Sequence, residues 1–359
     1  MSVNKYYQIA KNKLYKLNRS LTGPGTKKTL HIIKNEFPKL KIIKVRSKKT
    51  FFDWQVPLEW NIKDAYVLDR KGDKIIDFKK NNLHVVGYST PVNKILNKNN
   101  FLNRIHSLSK SPKAIPYVTS YYRRYWGFCI SDYDKKKIQN KYHKYDKFHV
   151  VIKSSLKNGY LNYGELLLKG SSKQEILIST YICHPAMANN ELSGPIVSMA
   201  LINYFSKRNL EKTLRFLFIP ETIGSIIFIK KNYDYLKKNL VGGYNLSCIG
   251  DERMHSCMFS KYGKSQSDKA LKNAYEKLNI KYKKFSFLER GSDERQYCSP
   301  GVDLPIASIF RSKYGNYPEY HTSLDNFDLV TKKGLQGGYE VSKTAIENLI
   351  KKKLPKNKI

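Results

Sequence analysis

The chain has no apolar stretch as long as the roughly 18 residues that a transmembrane helix requires, so no membrane span is expected. Its opening segment, MSVNKYYQIAKNKLYKLNRS, lacks the apolar centre of a signal peptide, which points to a cytoplasmic protein. Cysteine is scarce: five in 359 residues, an odd number with no CxxC pair. That argues against a disulfide framework or a cysteine zinc site and agrees with a reducing compartment. The GxSxG pattern of a serine nucleophile elbow is missing. Acidic residues are also few, 29 against 66 Lys and Arg, giving a formal charge of +37. Such a charge would signal nucleic-acid binding if it were clustered. Here lysine is spread over the whole chain beside abundant Asn, Ile and Tyr, the mark of a composition bias. Nucleic acid is therefore not the expected partner, although a general attraction to acidic ligands follows.

What is present is a long alternation of strands and helices. Residues 4–18 and 26–37 show apolar residues near helical spacing, separated by SLTGPGT, with Thr26 a candidate N-cap. The block 50–148 changes texture. AYVLDRKGDKIIDF reads as a hairpin, LHVVGYS as a short strand, and FFDWQVPLEW is rich in aromatic residues. KFHVVIKSSL and YLNYGELLLKG then read as an antiparallel pair. Beyond them come strands at 174–184, 213–221, 241–252 and 304–310, and helices at 193–209, 223–239, 266–280 and 332–353. Apolar strands alternating with helices predict an α/β fold, a mostly parallel central sheet covered on both faces. Residues 1–49 and 149–359 form its core, and 50–148 is a small inserted, mainly-β domain.

Ligands of such sheets sit beyond the C-terminal strand ends. That rule selects His184 at the end of EILISTYICH, Glu221 after LRFLFIP, Asp251 after YNLSCIG and His321 in PEYHTSLDN. Two imidazoles and two carboxylates suit zinc, with a glutamate available to activate water. Each has a plainer reading by itself: a histidine satisfied in the core, or a carboxylate at a helix N-terminus. Their joint placement at one edge of the sheet favours a site.

At these residues the chain resembles the co-catalytic zinc aminopeptidase family, which includes glutamate carboxypeptidases and glutaminyl cyclases. The matching segments are His184, NNELSG (189–194), PETIGS, IGDE, GSDERQY (291–297) and YHT (320–322). A fuller resemblance is to a bacterial aminopeptidase-like family often found among polysaccharide-biosynthesis genes, carried by DWQVPLEWNIKDAY, SYYRRYWGFC, CHPAMANNELSGP, PETIGS and GSDERQYCSPG. It implies a zinc-aminopeptidase-like fold, one or two zinc ions, and a metal-dependent hydrolase of amide or peptide bonds. Members often carry a C-terminal winged-helix domain, which this chain is expected to lack.

The resemblance implies His184, Asp251 and His321 as metal ligands, with Glu191 a fourth. Glu221 is the expected general base toward metal-activated water, or a ligand if the metal sits on the His321 side alone. Asp293 is placed near the reacting amine. Asn190, Tyr122, Arg123, Trp126, Arg295 and Tyr297 are candidate substrate contacts, for a small peptide or an amide-bearing sugar. Three departures bear on the metal count. Asn190 stands where the family has a bridging aspartate, Thr222 where it has a second glutamate, and Ala186 where it has the aspartate that orients the first histidine. The alternative is a catalytically altered member that binds a sugar or peptide ligand in polysaccharide biosynthesis.

Overall fold

The computed structural model describes residues 3–351. Its central sheet has eight strands in the order Lys41–Arg46, Tyr160–Leu168, Thr213–Ile219, Glu175–Tyr181, Leu240–Leu246, Ile306–Phe310, Ser256–Met258 and Lys283–Phe285. The four middle strands, from Thr213–Ile219 to Ile306–Phe310, run parallel. Thr213–Ile219 and Glu175–Tyr181 are buried at every position, which is why their sequences are nearly continuous apolar runs. Helices Ser193–Phe205, Ile223–Asn239, Gln266–Lys277 and Lys332–Lys351 follow where strand–helix alternation predicts them. No helix among the described residues is long and apolar enough to cross a membrane. All five cysteines are free and buried.

Several local readings change. The expected pair of 147–156 with 160–170 does not form. Strand Lys147–Lys157 instead joins Glu59–Leu68 and Val92–Asn97 in a separate four-stranded antiparallel sheet, completed by Lys74–Asp77. The chain crosses between sheets at Gly159, where an added Cβ would stand 2.3 Å from Glu59 Oε2. Both segments are strands, as read from the sequence, but pairing partners are set by three-dimensional neighbours and not by sequence order. The inserted segment is also not wholly β: Asp132–Lys141 is a helix, capped by Ser131. Helix Pro24–Glu36 begins two residues before Thr26, with Pro24 in its first turn and Gly23 at φ +90° before it. The second sheet has no isolated core of its own. Trp60, Val67 and Phe148 pack in one apolar cluster with Leu177, Leu217 and Ile226 beneath the central sheet.

One element had no sequence signal. Between strand Glu175–Tyr181 and helix Ser193–Phe205, residues Ala188–Leu192 form a single π-helical turn. Such turns are rare and recur at functional sites. The helix that follows lies tight on the sheet, since a Cβ on Gly194 would stand 2.4 Å from the Leu246 carbonyl oxygen.

Candidate active site

Strand Glu175–Tyr181 delivers Ile182, Cys183 and His184 to the C-terminal edge of the sheet, where His184 is 3% exposed. Ala186 then turns the chain at φ +44°, and the π turn follows. The turn is held from outside. Asp325 accepts the backbone N–H groups of Ala188, Asn189 and Asn190 and the hydroxyl of Tyr317. Asn189 joins it to the next strand end, accepting from Gly250 N at 2.8 Å. Left-handed φ at Ala186, Thr222, Cys248 and His321 places backbone strain at four strand ends or loops around the same edge. Strain of this kind, held by surrounding packing, collects at functional sites.

His184 is fixed on both sides of its ring. Nδ1 lies 2.8 Å from Glu191 Oε2, and Nε2 lies 3.6 Å from Glu221 Oε2. With Nδ1–H donated to Glu191, Nε2 is the nitrogen at which a metal could take the place of the second ring proton, facing Glu221. Glu191 thus supplies the orienting carboxylate that Ala186 cannot. Behind Glu191 stands Arg19, wholly buried, with Nε 3.5 Å from Glu191 Oε1 and 2.9 Å from the His184 carbonyl oxygen. Its Nη1 also bonds the carbonyl of Leu14. Burial opposes a charge on His184, but Cys183 and Glu191 outweigh it and hold the imidazole well above the usual histidine range. Burial pushes the Cys183 thiol up to about 11, against the pull of His184.

The ring of His321 lies 5.3 Å from that of His184, centre to centre, and stacks on Tyr320 at 3.9 Å. Burial, then the charge of His184, push His321 down to about 3, leaving a neutral imidazole. Its Nε2 is buried without a hydrogen-bond partner, as are Asn190 Oδ1 and Asp293 Oδ2. Unsatisfied buried polar atoms cost about 1–3 kcal/mol each, so a group of them marks a place for a polar ligand. Tyr117 lies against both histidine rings, and its hydroxyl meets that of Tyr121 at 2.9 Å.

Glu221 reaches the site with 23% of its side chain open, and Ser292 Oγ donates to its Oε1 at 2.6 Å. Burial raises its carboxyl above the ordinary range, against the opposing pull of His184 and Ser292. Asp293 stands one layer back. Its Oδ1 accepts the N–H of Thr222 and the hydroxyl of Ser225, fixing the strained turn after Glu221.

The structure therefore gathers His184, Glu191, Glu221 and His321, with Asn190 beside them donating to Tyr181 at 3.2 Å. It does not gather Asp251. That carboxylate accepts from Asn189 Nδ2 and Ser312 N on one oxygen, and from Arg253 N and Ser312 Oγ on the other. Four protein donors occupy it, and it locks loops together. Tyr297 is a core residue, 0% exposed, with its hydroxyl on Ser179. Tyr122 and Arg123 are exposed, the former bonded to the Gln55 carbonyl. Trp126 packs 4.8 Å from the Arg104 guanidinium carbon. Within SYYRRYWGFC it is Tyr121, not these three, that joins Tyr117. Arg295 is exposed in a separate cleft. Arg19, Tyr117, Ser292 and Asp325 had not been expected at the site. Arg19 carries a faint signal, being one of only 12 arginines among the 66 Lys and Arg.

Cys183 Sγ, His184 and Glu191 lie within 4.8 Å of one another. An ion on that side fits poorly, because 2.8 Å between Nδ1 and Oε2 is a hydrogen bond. Two ligands of a tetrahedral zinc stand about 3.3 Å apart. On the other side of the ring, His184 Nε2 faces the Glu221 carboxylate at 3.6 Å, and the ring of His321, its Nε2 without a partner, lies 5.3 Å away centre to centre. At the position of the family's bridging aspartate Asn190 is an amide, while Glu191 pairs with Arg19 and Asp251 is filled by four donors.

Burial pushes Asp325 up to about 6 despite its four donors. A carboxyl whose folded pKa lies above its unfolded value of about 4 adds stability at low pH that is lost as pH rises through about 6. Asp325→Asn should flatten that fall in urea midpoint between pH 4 and pH 6. An unchanged slope would remove Asp325 from the account.

A family model described as "Domain of unknown function (DUF4910)" matches residues 7–352. A protein of Clostridium acetobutylicum, named for polysaccharide biosynthesis and an aminopeptidase-like domain, is 41% identical over 350 residues, 94% of this chain and 78% of its own length. A crystal structure of a candidate peptidase from the same species matches with a TM-score of 0.92 at 40% identity, over 97% of this chain and 81% of that one. A zinc aminopeptidase of Bacillus subtilis matches with a TM-score of 0.71 at 14% identity, over 98% and 95% of the two chains, a likeness of fold alone. The mostly parallel α/β sheet and this match along nearly the whole sequence place the chain in the DUF4910 family, with the zinc-aminopeptidase fold.

Proposed function

We propose that the chain is a metal-dependent, peptidase-like hydrolase of amide bonds that uses one zinc ion, held by His184 Nε2 and His321 Nε2 beside Glu221. The observation that carries this reading is the locked ring of His184: Nδ1 on Glu191 at 2.8 Å, Nε2 turned to Glu221 at 3.6 Å. Zinc at such a site polarises an amide carbonyl and makes water a stronger nucleophile. Glu221, held by Ser292, takes the proton of the attacking water and passes it to the leaving amine. Glu191 and Arg19 keep His184 in the ligating tautomer. The tyrosines at 117 and 121 wall the site and offer hydroxyls to a carbonyl or sugar oxygen. A small peptide or an amide-bearing sugar fits this chemistry, and the name of the clostridial relative favours the sugar.

A second reading has a specific observation behind it. The Arg19–Glu191 pair already neutralises one buried carboxylate, and no pair of carboxylates remains to hold two ions. A protein that binds an amide-bearing sugar or peptide without cleaving it would have that character. Elemental analysis of tag-free protein separates the two. About one zinc per chain is expected, lost in both His184→Ala and His321→Ala. No zinc after supplementation would leave the binding protein, and two zincs would require a second ligand set.

A further inference from the structure

A second cleft, of about 570 Å³, opens between the inserted segment and the loop that carries Ser292. Trp54 forms one side. Phe287, Leu288, Arg290 and Arg295 form the other, with Lys261 at the edge. Two features separate it from the general lysine-rich surface. The first is its arginines. Composition bias accounts for lysine, but arginine is rare here, 12 of 66 basic residues. Four of the other ten are matched to a carboxylate: Arg19 to Glu191, Arg70 to Asp146, Arg215 to Glu175, Arg253 to Glu319. Arg290 and Arg295 enter no ion pair among the described residues. Arg290 bonds only the Phe287 carbonyl, at 3.3 Å, and lies 5.1 Å from that ring. Lys261, by contrast, is paired with Asp303 at 2.7 Å.

The second feature is apolar exposure. Leu288 is 84% exposed beside Phe287 and opposite Trp54. A free guanidinium is a planar, five-donor group suited to a carboxylate or phosphate, and the rings and Leu288 offer contact to a flat or apolar body. The cleft is separate from the site in space but linked to it along the chain. Arg295 lies three residues after Ser292, which holds Glu221, and two after Asp293, which fixes Thr222.

We propose that this cleft is an anion subsite in which Arg290 and Arg295 recognise a carboxylate or phosphate group of the substrate, whose remaining body lies against Trp54 and Phe287. Its role as part of a substrate site rests on the hydrolase reading; its anion selectivity does not. The test is calorimetric titration of the full chain at physiological salt, after metal is stripped on a chelating resin and in metal-free buffer, so that no anion binds through a metal at His184. Two probe pairs are used: alanyl-aspartate α-amide against alanyl-asparagine α-amide, and glucosamine 6-phosphate against glucosamine. The acidic member of at least one pair should bind at least tenfold tighter, and the pair that shows it identifies the anion as peptide carboxylate or sugar phosphate. The preference should fall within twofold of unity in R290Q/R295Q and persist in K207Q, a distant exposed site, with thermal melts confirming that all variants fold. No preference in either pair, survival of the preference in R290Q/R295Q, or its equal loss in K207Q would overturn the proposal. Because metal and turnover are absent from the measurement, failure of the hydrolase reading would leave its result intact.

Discussion

Glu221→Gln should lower turnover of an aminoacyl amide or sugar-amide substrate by about a thousandfold while the protein keeps its zinc. Removing a positioned proton acceptor typically costs about 10²–10⁴ in rate. The upper half of that range is expected here because Glu221 is the carboxylate that lies against His184 Nε2. Glu191 is paired with Arg19, Asp251 is filled by four donors, and the bound oxygen of Asp293 faces Thr222 and Ser225. The amide keeps the shape of the side chain and still accepts from Ser292, so the fold should be unaffected. Zinc content measured on the same sample decides the role. Retained metal with lost turnover makes Glu221 the base. Lost metal makes it the third ligand, in keeping with its 3.6 Å separation from His184 Nε2. Unchanged turnover would remove Glu221 from the chemistry altogether.

Arg19→Met is expected to produce the largest loss of stability, about 3–5 kcal/mol by urea unfolding, the usual cost of leaving one partner of a buried ion pair alone. Arg19 and Glu191 are both fully buried, and the guanidinium also serves the carbonyl groups of His184 and Leu14. The double variant Arg19→Met/Glu191→Gln provides the control. Removing both charges should recover about 1–3 kcal/mol of the loss, since the two side chains are in direct contact. Zinc affinity should not recover with it, because a neutral amide is a weaker acceptor for His184 Nδ1–H, and orienting partners of this kind are worth about 10–100-fold in metal affinity. Strictly additive losses in the two single variants would mean that Arg19 acts only by tying down the segment after Leu14.

The separation between sequence and tertiary structure runs through particular residues. Strand–helix alternation after residue 174 was legible because each strand is buried on both faces, and each helix is followed by a turn. His184 and Glu221 were legible because a strand buried at every position must end somewhere, and a polar residue at that end faces the open edge of the sheet. Local pattern stops there. Asp251 also follows a buried strand, and nothing in its sequence distinguishes a free carboxylate from one filled by Ser312, Arg253 and Asn189, two of which lie about 60 residues away along the chain. Strand Lys147–Lys157 was recognisable as a strand but not assignable to a sheet, because hydrogen-bond partners are a property of neighbours in space. Arg19 is the plainest case. It lies 165 residues from the carbonyl it holds at His184, and its worth comes from having no water around it. The sequence by itself determined the fold class, and it named all four side chains that the structure gathers: His184, Glu221 and His321 from the strand-end rule, Glu191 from the resemblance. Only the tertiary structure decided which carboxylates are free, because that depends on which donors the folded chain brings within about 3 Å and on how much water it excludes.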